Sequence, residues 1–363
     1  MDLTVTSKIL FVLKRREDFN PEKHTPNGMS TGLYNSANFM CDMLKKSKFD
    51  AEIEVAIDNN DIDRMVTKHS PTHVIIEGLW VVPTKFAVLT RLHPDVQWII
   101  RLHSDMPFLA GEGMAMNWIG DYARFPQITI AANSPRMLNE VKTYLATAIT
   151  EHTEADTECS AIYLPNYYPL QFRKKRKIEP NRYRGTEKYW IDVACFGAVR
   201  PLKNHLTQAV AALKYANEHG KQLRFHINGG RIEGKGEPII NNLKGMFQQL
   251  ANHGHQLICH EWAPREEFLE TCAEMDVGLQ CNFSETFNIV TADLVSQGIP
   301  VVGTREIPWG SRLFNAKPTE TDEIAHAIAR AVHHPKLNVY LTQRGLIKYC
   351  NQTRKIWTKY FKE

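Results

Sequence analysis

The sequence predicts an α/β protein made of two doubly wound, largely parallel sheets. Two observations lead there. Short apolar runs alternate with stretches of helical spacing along most of the chain, the pattern of strands buried on both faces by crossover helices. The 363 residues also suffice for two domains with separate cores. The expected division is 1–170 as a first domain, 171–186 as a basic interdomain linker, 187–335 as a second domain and 336–363 as a closing helix.

Composition narrows the classes. With 43% hydrophobic and 23% charged residues the chain reads as an ordinary globular protein, and a net charge of +4 does not by itself imply a nucleic-acid or membrane partner. No run of 18 apolar residues occurs, so no transmembrane segment is expected. Met1 to Lys8 lacks a basic stretch followed by a long apolar one, so no secretory signal is expected. The 7 cysteines are odd in number and scattered, which suits reduced core residues and a cytoplasmic location, a host's cytoplasm for a viral protein. The 15 histidines form no His-x3-His or His-Glu-x2-His helix pattern, so no metal ligand is assigned and no cofactor is expected.

In order, Ile9 to Leu13 is a short buried strand, followed by a polar loop with Pro21, Pro26, Gly28 and Gly32, and then a helix from Leu33 to Leu44. Strand, glycine-bearing loop and helix bring backbone N–H groups to a ligand, although an ordinary surface loop reads the same way. Further strands are Glu52 to Ile57, His73 to Glu77, Trp98 to Leu102 and Ile128 to Ala132. The fourth of these five strands runs into His103-Ser104-Asp105, at a carboxyl end where ligands of such sheets gather. Ser104 or Asp105 as a helix cap beside a structural histidine is the other reading. Asn133-Ser134-Pro135 fits a Ser cap before a helix begun by Pro.

Arg173-Lys174-Lys175-Arg176-Lys177, with Arg182 and Arg184 close behind, reads either as a solvated linker or as an anion-binding segment. Trp190 to Phe196 is the next strand. The loop Gly197-Ala198-Val199-Arg200-Pro201-Leu202-Lys203 then offers a tight turn and two cations before a helix from His205 to Glu218. Gln222 to Asn228 is a strand ended by Gly229-Gly230. Beyond it lie strands near Gln256 and Asp276, a turn over Arg305 to Gly310, an amphipathic helix from Thr321 to Val332 and a helix from Leu337 to Phe361.

The stretch Ser284 to Gly303 organises the second half. It reads as loop, short helix capped by Asn288 or Thr286, stop at Gly298 and buried strand. The helix start is a ready phosphate site. Glu285 before it and Asp293 within it could accept hydroxyl hydrogen bonds on either side of that phosphate.

This stretch resembles the Glu-x7-Glu signature of GT-B glycosyltransferases, above all retaining family 4, with Asp293 in the second position. The lead-in from Gln256 to Leu269 is similar to the strand, turn and helix that precede the signature in that family. The resemblance implies two Rossmann-like domains facing across a cleft, with the C-terminal helix packing back on both. It implies a nucleotide-sugar cosubstrate, a UDP-sugar, held by the second domain. Glu285 would hold sugar hydroxyls, Asp293 the ribose, and Lys203 and Arg200 the diphosphate, with Gly197, Asn288 and Ile289 lining that site. Lys203 matches the family lysine, whereas the usual Gly-Arg-Leu spacing is altered to Gly-Ala-Val-Arg at Arg200. His103 would contact the transferring sugar, and the loop with Gly28 and Gly32 would lie over diphosphate and acceptor. Retention at the anomeric carbon is also implied, by front-face transfer.

The chemistry agrees with the residue types. Departure of a nucleoside diphosphate builds charge on the β-phosphate, which Arg200, Lys203 and the helix start near Asn288 can stabilise without a metal. A two-carboxylate hydrolase is the competing enzyme, and it explains neither the cations nor the phosphate-ready helix. A nucleotide-sugar-binding protein without catalysis, or a nucleic-acid module, is the competing class. For the acceptor, Arg173, Lys174, Lys175 and Arg176 favour a polyanion, and the chemically sensible one is DNA with hydroxymethylated bases, as phage DNA glycosyltransferases use. A soluble glycan, polysaccharide precursor or small molecule is the alternative.

Overall fold

The computed structural model describes residues 7–15, 32–149, 161–173 and 190–362. Gly28, Lys174, Lys175, Arg176 and Lys177 lie outside them. The chain divides into two compact units, Met1–Pro169 with Cys350–Glu363, and Leu170–Tyr349.

The first unit contains β1 (Lys8–Lys14), α1 (Gly32–Lys46), β2 (Asp50–Ala56), α2 (Asp61–His69), β3 (His73–Glu77), α3 (Pro83–Leu92), β4 (Gln97–Leu102), α4 (Met106–Leu109), α5 (Ala115–Tyr122), β5 (Ile128–Ala132), α6 (Pro135–Ile149) and β6 (Ala161–Tyr163). Its strands are parallel in the order β2-β1-β3-β4-β5-β6. Alternate residues go to opposite faces, and both faces are covered. Val12, Ile76 and Ile100 pack with Phe86, Trp98 and Tyr122 on one side. Phe11, Ile75 and Ile99 pack with Met40, Trp357 and Phe361 on the other. That double burial is why these strands read as unbroken apolar runs.

The second unit contains β7 (Trp190–Val199), α7 (His205–Glu218), β8 (Gln222–Ile232), α8 (Glu237–Leu250), β9 (Gln256–Cys259), α9 (Arg265–Ala273), β10 (Val277–Gln280), α10 (Ile289–Ser296), β11 (Val301–Gly303) and α11 (Thr321–His333). The parallel order is β11-β10-β7-β8-β9. The chain starts this sheet at β7, winds outward to β9, then returns to place β10 on the other side of β7. The strand order therefore reverses between β7 and β10, the place at whose carboxyl ends sheets of this kind bind ligands.

The last helix, α12 (Pro335–Tyr360), contributes to both units. In the second unit the Asn338 amide binds the backbone N–H and C=O of Val301, at 2.9 Å each, and so completes the edge of β11. In the first unit Trp357 stacks on Phe11 and donates its indole N–H to the Pro165 carbonyl at 2.9 Å. Among the described residues no helix is long and apolar enough to cross a membrane.

Two strands are longer than expected from the sequence. β7 continues through Gly197 to Val199, and β8 passes Gly229-Gly230 to Ile232, so neither glycine position ends its strand. The reason is a bulge. The Asn228 side chain accepts the Gly197 N–H at 2.8 Å where the register of β7 and β8 shifts, and pairing resumes between Val199 and Ile232.

Candidate functional site

The second unit gathers predicted site residues at the point where its strand order reverses. Gly197 lies near the end of β7 with φ +116°, a conformation that favours glycine. After it, Pro201–Lys203 form one tight turn, Asn204 adopts a left-handed conformation and α7 begins. The Asn204 amide donates to the Cys281 carbonyl at 3.0 Å and to the Pro318 carbonyl at 2.7 Å, which ties this turn to the end of β10. The Phe283 N–H donates to the Leu202 carbonyl at 3.0 Å and joins the two loops again. These ties bring Lys203 onto Glu285, and the two side chains form an ion pair at 12% and 10% exposure.

Behind the pair lies an amide network. Asn282 donates to Glu285 at 2.8 Å and to the Gln280 side-chain oxygen at 3.1 Å. Asn288 donates to that same oxygen at 2.8 Å, while Gln280 itself donates to the Phe196 carbonyl at 2.9 Å. Asn288 has φ 61°, and its side-chain oxygen accepts the Thr291 N–H at 2.8 Å. Of the two cap candidates it is therefore Asn288 that caps α10, while Ile289 opens the helix. The Ile289 and Val290 N–H groups fall in the first turn, where an α-helix supplies no internal acceptor. The Phe287 carbonyl accepts the Trp309 indole N–H at 2.8 Å, which fixes the approach to the cap.

Two donor-site candidates have charged partners of their own. The Arg200 guanidinium lies 3.6 Å from Glu233. Asp293 is 3% exposed and pairs with Arg265 at 2.7 Å. Arg173 is exposed on its side chain, and its backbone N–H donates to the Ser296 carbonyl at 2.8 Å.

Replacing Asn288 separates cap from backbone. Asn288→Ala should cost the second unit about 1–2 kcal/mol, because the cap is lost and a Cβ residue keeps the left-handed backbone. Asn288→Gly should recover part of that loss by relieving the backbone. Chemical unfolding of both variants beside the wild type checks this: an Asn288→Ala variant as stable as wild type would show that the cap contributes nothing, and equal losses in the two variants would show that the left-handed backbone costs nothing.

The first unit places His103 beside a buried charge cluster. The register of β3 and β4 sets Glu77 directly opposite Arg101, and both side chains are fully buried. Arg101 Nη1 donates to both Glu77 oxygens, at 3.1 and 3.2 Å. Its Nε donates to the Leu164 carbonyl at 3.1 Å, its Nη2 to Asn166, and the guanidinium lies 5.2 Å from the Trp357 ring centre. His103 Nε2 contacts the second Glu77 oxygen. Burial pushes the Glu77 carboxyl up, but Arg101 and His103 outweigh it and hold it below the usual range. Burial lowers the His103 imidazole, and Arg101 acts in the same direction against Glu77. Asp105, at the head of α4, makes no cap hydrogen bond and instead accepts from Ser134 at 2.7 Å and pairs with Arg136. Ser134 accepts the Met137 N–H at 3.0 Å, so it caps α6 as expected. Gly32 is the first residue of α1.

Sequence reasoning missed Glu77, Arg101, Asn282, Gln280 and Arg265. Glu77 and Arg101 carried a signal, since charges closing two apolar runs at neighbouring strand ends are expected to pair when buried. The amides carried none, because one buried Asn or Gln looks like any other.

No protein-family model matches the chain, and no curated protein matches it in sequence. Solved structures do. Anabaena HepE, in complex with UDP and glucose, is 13% identical with a TM-score of 0.62, over 97% of this chain and 99% of that one. A UDP-forming α,α-trehalose-phosphate synthase from Burkholderia xenovorans, in complex with glucose-6-phosphate, is 12% identical with a TM-score of 0.71, over 98% and 100%. Sucrose-phosphate synthase from Thermosynechococcus elongatus is 12% identical with a TM-score of 0.64, over 98% and 96%. At these identities the likeness shows the fold, two Rossmann-like units of the GT-B class.

Proposed function

We propose that this chain is a glycosyltransferase that moves a sugar from a nucleotide-sugar donor, a UDP-sugar, to an acceptor hydroxyl. The observation that carries the reading is the meeting of the Lys203–Glu285 pair with the Asn288-capped start of α10 at the carboxyl ends of β7 and β10. A diphosphate there accepts from Lys203 and from the first N–H groups of α10, and the charge that builds on the leaving phosphate meets groups already oriented toward it. Glu285 takes the sugar hydroxyls, Asp293 the ribose hydroxyls with Arg265 holding its carboxylate, and Arg200 adds a second cation toward the phosphates. His103 serves the transferring sugar. The three structural neighbours support this reading, since two carry UDP or are described as UDP-forming and all three concern sugars or sugar phosphates.

Lys203 and the helix start handle the phosphate, so the transfer proceeds without a metal; retention at the anomeric carbon rests on the resemblance of the Glu285–Asp293 stretch to the retaining family. The acceptor reading, DNA with hydroxymethylated bases, rests on the basic run, of which only Arg173 lies among the described residues. One experiment tests these readings together. The protein is incubated with a panel of nucleotide sugars and acceptors, hydroxymethylated duplex DNA and soluble glycans among them, with and without EDTA, and products are read by mass spectrometry. Transfer from a UDP-sugar that survives EDTA is the expected result. Transfer only with added Mg²⁺ or Mn²⁺ would remove the metal-free mechanism. Labelled glycan with unlabelled DNA would remove the DNA acceptor, and no consumption of any nucleotide sugar would remove the enzyme reading.

A further inference from the structure

We infer that Glu77 is a positioning residue: fixed by Arg101, its carboxylate holds the His103 imidazole in one orientation and in the Nε2–H tautomer. The effect on turnover rests on the glycosyl-transfer reading, whereas the tautomer rests on the Glu77 contact.

The geometry is specific. An arginine and a carboxylate that meet as two parallel forks use two nitrogens on two oxygens and satisfy each other. Here only Nη1 faces Glu77, at 3.1 and 3.2 Å from its two oxygens, while Nε and Nη2 are committed to Leu164 and Asn166. The second Glu77 oxygen is thereby turned to His103 Nε2. A carboxylate beside a guanidinium is ionised and can only accept, so the proton belongs on Nε2 and a neutral ring carries its lone pair on Nδ1. The backbone of His103 is held separately, since Asn133 donates to its carbonyl at 3.4 Å. Position agrees with this assignment. Glu77 closes β3 and His103 follows β4, at the carboxyl ends where ligands of such sheets bind. Of the three charged or titratable side chains, Glu77 and Arg101 are fully enclosed and His103 is 16% exposed. The buried pair therefore supports the one ring that reaches the surface. Arg101 also carries the support outward, because Asn166 accepts from Ser36 of α1 at 3.0 Å and its carbonyl accepts from Thr353 of α12 at 3.2 Å.

The test has two arms. Ring 15N–1H correlation spectra of the wild-type protein, with His103 assigned from the signal lost in His103→Gln, should show Nε2 protonated and Nδ1 bare. The second arm follows release of UDP from UDP-glucose with water as acceptor. Glu77→Gln should lower kcat by about 10–100-fold with KM for UDP-glucose nearly unchanged, as for other residues that orient a working side chain. Because Glu77 acts through His103, Glu77→Gln should cost nothing further in a His103→Ala background. A Glu77→Gln loss that persists in that background would make the pair merely structural and overturn the inference. A ring protonated at Nδ1 alone would overturn it even if Glu77→Gln does not fold. If wild-type protein releases no UDP yet shows the Nε2–H ring, the donor reading falls and the Glu77–His103 pairing stands.

Discussion

Replacing Glu285 with alanine should lower turnover by roughly several hundredfold, corresponding to about 3–4 kcal/mol of lost transition-state stabilisation. The structure adds a sign to the accompanying change in binding. Glu285 and Lys203 form an ion pair, so a diphosphate that engages Lys203 competes with a carboxylate that holds it. Glu285→Ala removes that competitor. UDP affinity should therefore stay level or rise while turnover collapses, the signature of a group that acts on the transferring sugar and not on the leaving nucleotide. Lys203→Ala should do the opposite to UDP. It leaves Glu285 facing the phosphate with no cation between them, so affinity and turnover should fall together. Calorimetric titration of UDP into both variants, beside steady-state rates, separates the two residues. Wild-type turnover in either variant would remove the pair from the site, and a loss of UDP affinity in Glu285→Ala would reverse the roles given to the two side chains.

The residues that could be read in advance are those whose chemistry is local. The alternation of buried strands and helices is written in residue periodicity, and a few adjacent positions narrow the α10 cap to Asn288 or Thr286 and offer Ser134 as the α6 cap, with the structure selecting Asn288. Lys203 and Glu285 were each visible as charged residues in loops at strand ends. That they pair follows from the order of strands, which sets β10 beside β7 across a gap of some eighty residues in the chain. The ends of β7 and β8 could not be read, because a side-chain amide at Asn228 carries the pairing across a bulge that the glycines appear to interrupt. Glu77 and Arg101 needed the register of β3 and β4 before their burial made sense. Asp293 reads as the residue that holds the ribose, and its pairing with Arg265 could not be read because nothing local relates α9 to α10. In each case the missing information is a contact between elements distant in sequence, which periodicity does not encode.

The second large effect concerns stability in acid. His205 opens α7 directly after Lys203 and Asn204, is 1% exposed, and neither ring nitrogen has a hydrogen-bond partner. Burial, reinforced by the nearby Lys203 and Arg200 charges, pushes its imidazole down from 6.5 to about 3. A histidine depressed in this way binds fewer protons folded than unfolded. Its contribution is therefore complete above the unfolded value and is lost as pH falls through that value toward the folded one, at about 1.4 kcal/mol for each pH unit. Between about pH 6.5 and about pH 4 this single residue should remove roughly 3 kcal/mol from the second unit, a large share of an ordinary domain's stability. His205→Phe fills similar space with nothing to protonate. Urea unfolding of wild type and variant across that range checks the effect: the wild type should lose stability relative to the variant as pH falls, whichever protein is the more stable at neutral pH. Other groups titrate equally in both proteins, so the difference isolates His205. Parallel curves would mean that the imidazole finds a proton acceptor or solvent in the folded state, and the acid sensitivity would then have to come from other groups such as the Glu77 cluster.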